Sequence, residues 1–131
     1  MSQFRATISD IQSAGSIHIV SFTTAGFTLK MISLALAPNI TLHSEVILGV
    51  KATAVALAKE CSGILSFSNQ LTLEISKIEE GKLLTSLLLQ GKDFELESII
   101  TTASKEKMHL EVAQKVTALI KSSDLFIVEV L

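Results

Sequence analysis

The sequence predicts an all-β protein made of two tandem small β-barrel units, with at most one short helix around 104–110. Three observations predict it. Apolar and polar residues alternate with period two over many short stretches. Those stretches are evenly spaced and separated by glycine-bearing turns, which suits a small barrel better than alternating strands and helices. The chain also repeats itself. Asn69-Gln70-Leu71-Thr72-Leu73-Glu74-Ile75-Ser76-Lys77-Ile78 rereads Ser2-Gln3-Phe4-Arg5-Ala6-Thr7-Ile8-Ser9-Asp10-Ile11, an offset of 67 residues that still holds from Phe27 to Phe94.

In copy one, strands are expected over 7–11, 16–22 and 27–32, and 46–57 closes the unit. Ala25-Gly26 provides a hairpin turn between the second and third of these. Copy two repeats the order with strands over 73–78, 83–89, 94–100, 116–119 and 125–130, and a turn at Gln90-Gly91-Lys92-Asp93. Near the end of each copy the offset becomes 70, because Val50-Lys51-Ala52-Thr53 returns as Ile120-Lys121-Ser122-Ser123. About three residues were inserted in copy two, where the polar stretch 104–110 is the helical candidate. Its counterpart in copy one holds Pro38, the chain's single proline, which disfavours a helix there. The boundary falls at 59–63, giving units of 1–60 and 64–131.

Composition narrows the function classes. A unit of roughly 65 residues is near the lower limit for a self-sufficient core. Yet 48% of the 131 residues are hydrophobic and mean hydropathy is +0.52, so the copies are expected to pack together, to oligomerise, or both. The longest apolar run, 46–58, is broken by Lys51 and is too short to span a bilayer as a helix, so no membrane association is expected. A single cysteine, Cys61, and no leader-like opening point to the cytoplasm. Net charge is −2, Trp and Tyr are absent, and the basic residues are scattered, so direct nucleic-acid binding is disfavoured.

Catalytic constellations are missing. His18, His43 and His109 have no metal-site spacing, and Glu79-Glu80 are neighbours on a strand and so face opposite ways. The chain therefore reads as a binder with no catalytic and no metal-ligating residues. Hydroxyls, amides and two repeated lysines remain: Ser66, Ser68 and Asn69 open copy two, Lys121-Ser122 lie near its end, and Thr101 and Ser104 lie between. Hydroxyl and amide donors with one cation suit a small tetrahedral oxyanion, which only accepts.

Those segments carry a resemblance. Ser66-Phe67-Ser68-Asn69-Gln70-Leu71 is similar to the Ser-Ala-Arg-Asn-Gln-Leu motif that opens the molybdate-binding Mop unit, also called the TOBE domain. Val116-Thr117-Ala118-Leu119-Ile120-Lys121-Ser122-Ser123-Asp124-Leu125-Phe126-Ile127 resembles the family's closing Val-x-Ala-Val-Ile-Lys-Ala-Ser-x-Val-x-Ile, and Ile100-Thr101-Thr102-Ala103-Ser104 its Val-Thr-x-x-Ser stretch. In copy one, Lys51-Ala52-Thr53 takes the Lys-Ala-Ser place and Ser33 the place of Thr101.

The resemblance covers nearly the whole chain as a tandem pair. It implies OB-like barrels that bind molybdate or tungstate at interfaces between units, as in the molbindins and the di-Mop region of ModE-type regulators. Oxyanion contacts would come from Ser66, Ser68, Asn69, Thr101, Ser104, Lys121 and Ser122, and from Lys51, Ala52 and Ser33 in copy one. A homo-oligomer is implied, with a trimer favoured over a dimer, and a role in cytoplasmic molybdenum homeostasis or storage. The free-standing kind is expected because Met1 lies directly inside copy one.

The sequence also departs from the pattern. The motif arginine is Ser68, Met1-Ser2-Gln3 replaces Arg-Asn-Gln in copy one, and the usual following glycine is Ala6 or Leu73. Copy one is thus the degenerate half. The alternative reading is an effector or assembly module with decayed anion sites, acting through a transporter ATPase or a transcriptional regulator.

Overall fold

The computed structural model describes residues 1–131 throughout. Copy one contributes β1 (Ser2–Ala14), β2 (Ile17–Thr24), β3 (Phe27–Ser33), β4 (Glu45–Val50) and the short β5 (Ala56–Ala58). Copy two contributes β6 (Asn69–Glu80), β7 (Leu84–Gly91), β8 (Phe94–Thr101), the single helix α1 (Thr102–Met108), β9 (Lys115–Ile120) and β10 (Phe126–Val130). The all-β expectation, with one short helix, describes the chain. Alternation sets the strand faces: in β6, Asn69, Leu71, Leu73 and Ile75 are buried while Gln70, Thr72 and Glu74 are exposed. The β2–β3 hairpin turns at Ala25 and Gly26, both with positive φ (48° and 84°), as a tight primed turn requires.

The duplication extends to irregularities. Register shifts between Ile8 and Asp10 in β1, and shifts again between Ile75 and Lys77 in β6, so both long strands bulge at the same repeat position. The bulge lets one long strand bend and serve two neighbours.

The predicted strand over 46–57 is not continuous. The chain leaves β4 at Lys51, makes a 3₁₀ turn over Ala52–Ala54, and resumes as β5. Copy two does the same at Lys121, with a 3₁₀ turn over Ser122–Asp124 before β10. The break has a topological purpose. The first sheet runs β10-β4-β1-β2-β3 and the second β5-β9-β6-β7-β8. Each copy thus sends its closing strand to the other copy's sheet: Phe126 pairs with Gly49, and Ala56 pairs with Leu119.

The helix also starts earlier than 104–110. The Thr101 side chain accepts from the Ser104 amide, which fixes the first turn at Thr102, and His109 ends the helix in the left-handed region at φ 51°. A single cluster of 22 buried residues, drawn from both copies, forms the core. The repeat partners Phe27 and Phe94 touch each other (ring centroids 5.8 Å apart), which places them close to the pseudo-twofold axis. No helix is long and apolar enough to cross a membrane.

Candidate functional site

The start of β6 is built around Asn69. It is 0% exposed, on the inward face of a strand whose next buried residue is Leu71. Burial of an amide is tolerated only if its polar atoms are satisfied. They are: the Lys30 N–H on β3 donates to Asn69 Oδ1 (2.7 Å), and Asn69 Nδ2 donates to the Lys30 carbonyl (3.0 Å). A side-chain amide thus mimics a strand at the free edge of β3 and locks copy two onto copy one.

Around that clamp lie the expected oxyanion donors. Asn69 pairs in register with Ile120, so Ser68 and Lys121 flank the same spot. Ser122 Oγ donates to Ser68 Oγ at 3.0 Å. Ser66, Ser68 and Lys121 are exposed and Ser122 is half-buried. The Ser68 and Ser122 hydroxyls therefore meet on the solvent-facing side, next in sequence to the Asn69–Ile120 pair that Lys121 follows. The 3₁₀ turn carrying Ser122 packs against β3.

The repeat creates a second locus at the start of β1. Ser2 takes the place of Asn69 and pairs in register with Val50, beside Lys51. It makes half of the clamp: the Glu97 N–H on β8 donates to Ser2 Oγ (2.9 Å). Lys51 is exposed and Ala52 is buried in its 3₁₀ turn, which packs against β8 and is held there by Ser98 Oγ donating to the Val55 carbonyl (2.6 Å). Met1 stands where Ser68 stands, so the hydroxyl pair has no counterpart here.

Thr101 and Ser104 form a third group, at the junction of β8 and α1. Thr101 Oγ1 donates to Ser104 Oγ (2.9 Å) and both are exposed. Within one chain they are remote from Ser68. Glu80 pairs with Thr85, and Thr85 with Ile100, so the end of β8 lies level with the end of β6. At about 3.3 Å per residue, the run of β6 from Asn69 to Glu80 is roughly 36 Å along the strand. Ser33, at the end of β3, turns its hydroxyl to the Ala35 carbonyl.

The sequence reading passed over Ser2, Lys30 and Glu97, all of which join the copies. A signal was present: Ser2 is the repeat partner of Asn69, and Lys30 of Glu97. The clearest electrostatic shifts lie elsewhere, on the surface of copy two. A hydrogen bond to Glu79, reinforced by its charge, raises the Lys77 pKa and lowers that of Glu79; a hydrogen bond to Glu80 raises Lys105. No group of three or more His, Cys, Asp or Glu gathers where it could hold a metal ion.

Residues 65–127 match the TOBE domain family. The second copy carries a TOBE domain. The matched span runs from the segment before β6 into β10, and so includes Ser66, Ser68, Asn69, Thr101, Ser104, Lys121 and Ser122. The two-unit architecture also has a close structural likeness. The cytoplasmic molybdate-binding protein ModG, in a crystal form with molybdate bound, superposes with a TM-score of 0.89 at 26% sequence identity, over 96% of this chain and 94% of that one. No curated protein sequence matches the chain. The likeness to ModG covers both copies, in keeping with two tandem OB-like units.

Proposed function

We propose that this protein binds molybdate in the cytoplasm, for molybdenum homeostasis or storage, and that it is a binding protein and not an enzyme. The observation that carries the reading is the likeness to molybdate-bound ModG along almost the full length of both chains. The chemistry at the start of β6 supports it. Molybdate is a dianion with four acceptor oxygens, and Ser66, Ser68 and Ser122 can each donate a hydroxyl hydrogen bond to it, with Lys121 supplying a cation. Charge-assisted hydrogen bonds are the stronger kind, so Lys121 carries the largest single share of affinity. Tungstate, of the same shape and charge, is expected to bind as well. Phosphate near neutral pH keeps a proton and must use one hydroxyl as an acceptor, so weaker binding than molybdate is expected.

Thr101 and Ser104 lie too far from Ser68 to share one anion within a chain. Their contribution therefore comes from a neighbouring copy, and the complete site belongs to a homo-oligomer, with a trimer favoured. The decayed-site reading, in which the chain acts only through a protein partner, is not favoured, given the likeness to molybdate-bound ModG and the meeting of Ser68 with Ser122.

Isothermal titration with molybdate, tungstate, sulfate and phosphate tests the proposal. Heat from the first two is expected; a folded, oligomeric protein that gives none with either rejects it. Lys121→Ala should weaken molybdate binding about 10- to 100-fold, the range for losing one hydrogen bond to a charged group. Light scattering gives the oligomer mass, and a monomer that binds at full affinity would rule out donors from a second copy.

A further inference from the structure

The two repeat-related loci face opposite charge. The start of β6 lies against β3, whose exposed residues there are Thr28 and Lys30. The start of β1 lies against β8, where the repeat partners of those two residues are Glu95 and Glu97. Glu95 is exposed and Glu97 half-buried. With Met1, Ser2 and Leu88 they line an open cleft of about 290 Å³. The cleft lining holds two carboxylates and no side-chain cation, its one ammonium being the Met1 amino terminus. At the start of β6 the corresponding β3 position carries Lys30, Lys121 follows the Asn69–Ile120 pair, and the Ser68 and Ser122 hydroxyls meet.

We propose that Glu95 and Glu97 close the β1-start cleft to tetrahedral dianions and so leave one anion site per chain, at the start of β6. This rests on the molybdate reading above and adds a number and a cause to it. Two carboxylates beside a dianion oppose it by direct Coulomb repulsion, which is weakly screened inside a Debye length of about 8 Å at physiological salt. Glu97 is also held in place: Ser86 Oγ donates to its carboxylate at 2.8 Å, while its N–H is tied to Ser2. Glu97 thus lines the cleft with its carboxylate tethered on the Ser86 side, and is not a free side chain.

The test is stoichiometry. Titration of the native full-length oligomer with molybdate should saturate at one anion per chain. The variant Glu95→Thr/Glu97→Lys, which writes the β3 residues into β8, should saturate at two. Circular dichroism and light scattering should show an unchanged fold and oligomer. Two anions per chain in the native protein overturn the inference, as does a folded variant that still takes only one. Binding in the variant but not in the native protein overturns the assignment of the open site to β6. No heat in either defeats the molybdate reading itself, and the inference falls with it.

Discussion

The junction of β6 with β3 and the junction of β1 with β8 are the same construction made twice, and they are unequally strong. Asn69 satisfies both the N–H and the carbonyl of Lys30, whereas Ser2 reaches only the N–H of Glu97. The junctions that carry the exchanged strands differ in the opposite sense. Gly49 faces the large Phe126 on β10, and its repeat partner Leu119 faces the small Ala56 on β5. A Cβ on Gly49 would lie 2.7 Å from the Phe126 ring and 2.8 Å from Val128. Duplication set the geometry of each contact, and later substitution redistributed volume and hydrogen bonds between the halves without changing register.

The largest expected effect comes from breaking the stronger clamp. Asn69→Ala leaves the part-buried N–H and carbonyl of Lys30 without their protein partners and should cost about 2–4 kcal/mol, read as a drop in the urea midpoint. A loss no greater than that of Ser2→Ala would show that the second half of the clamp contributes nothing. Gly49→Ala comes next, at about 1–3 kcal/mol for overpacking against Phe126. The triple change Gly49→Leu/Phe126→Ala/Val128→Ala copies the β9–β5 arrangement into the β4–β10 junction. It should recover part of the Gly49→Ala loss; no recovery would mean that the two junctions are not interchangeable. Ser2→Ala removes one hydrogen bond and should cost only about 1 kcal/mol.

The smallest difference is in pH response. Lys77 and Lys105 hold their protons more tightly in the folded chain, because Glu79 and Glu80 accept hydrogen bonds from them. That contribution is complete below the ordinary lysine range and is lost as pH rises through the raised folded values. Glu79 is shifted down, so its contribution is present above the ordinary glutamate range and is lost as pH falls through the lowered value. The repeat partners of Lys77 and Glu79 are Asp10 and Gln12, which offer no such pair. Alkaline and acid softening should therefore appear in amide exchange of β6 and α1 before β1, and equal loss in both copies would contradict this.

Much of the fold was legible in the residues. Alternation along β2, β3 and β8 marks strands directly, and the repeat predicts that whatever copy one forms, copy two forms again. The strand exchange left no such mark. Ala56-Leu57-Ala58 is too short and too plain for its partner to be read from it, and pairing between halves has no periodicity. The break at Lys51 was hidden because Val50, Ala52 and Val55 continue an apolar run through the 3₁₀ turn. The helix boundary moved because Thr101 caps it. At the candidate site, Ser68 and Ser122, singled out by residue type, do meet. What residue types could not reveal was direction: the amide of Asn69 points inward and holds β3, and the charges of Lys30 and Glu97 matter only once each lies against the other copy's first strand.

The exchange of closing strands also orders events during synthesis. The edge of β4 is covered by β10, and at ordinary elongation rates the ribosome takes roughly 4–15 s to travel from Val50 to Phe126. For that interval the nascent chain offers an open strand, Glu45–Val50, with a single charge at its first residue. Such an edge is a template for pairing with whatever strand arrives first. On a crowded message that strand can belong to the chain ahead, so translation speed between Val50 and Phe126 sets how faithfully each polypeptide keeps its own tenth strand.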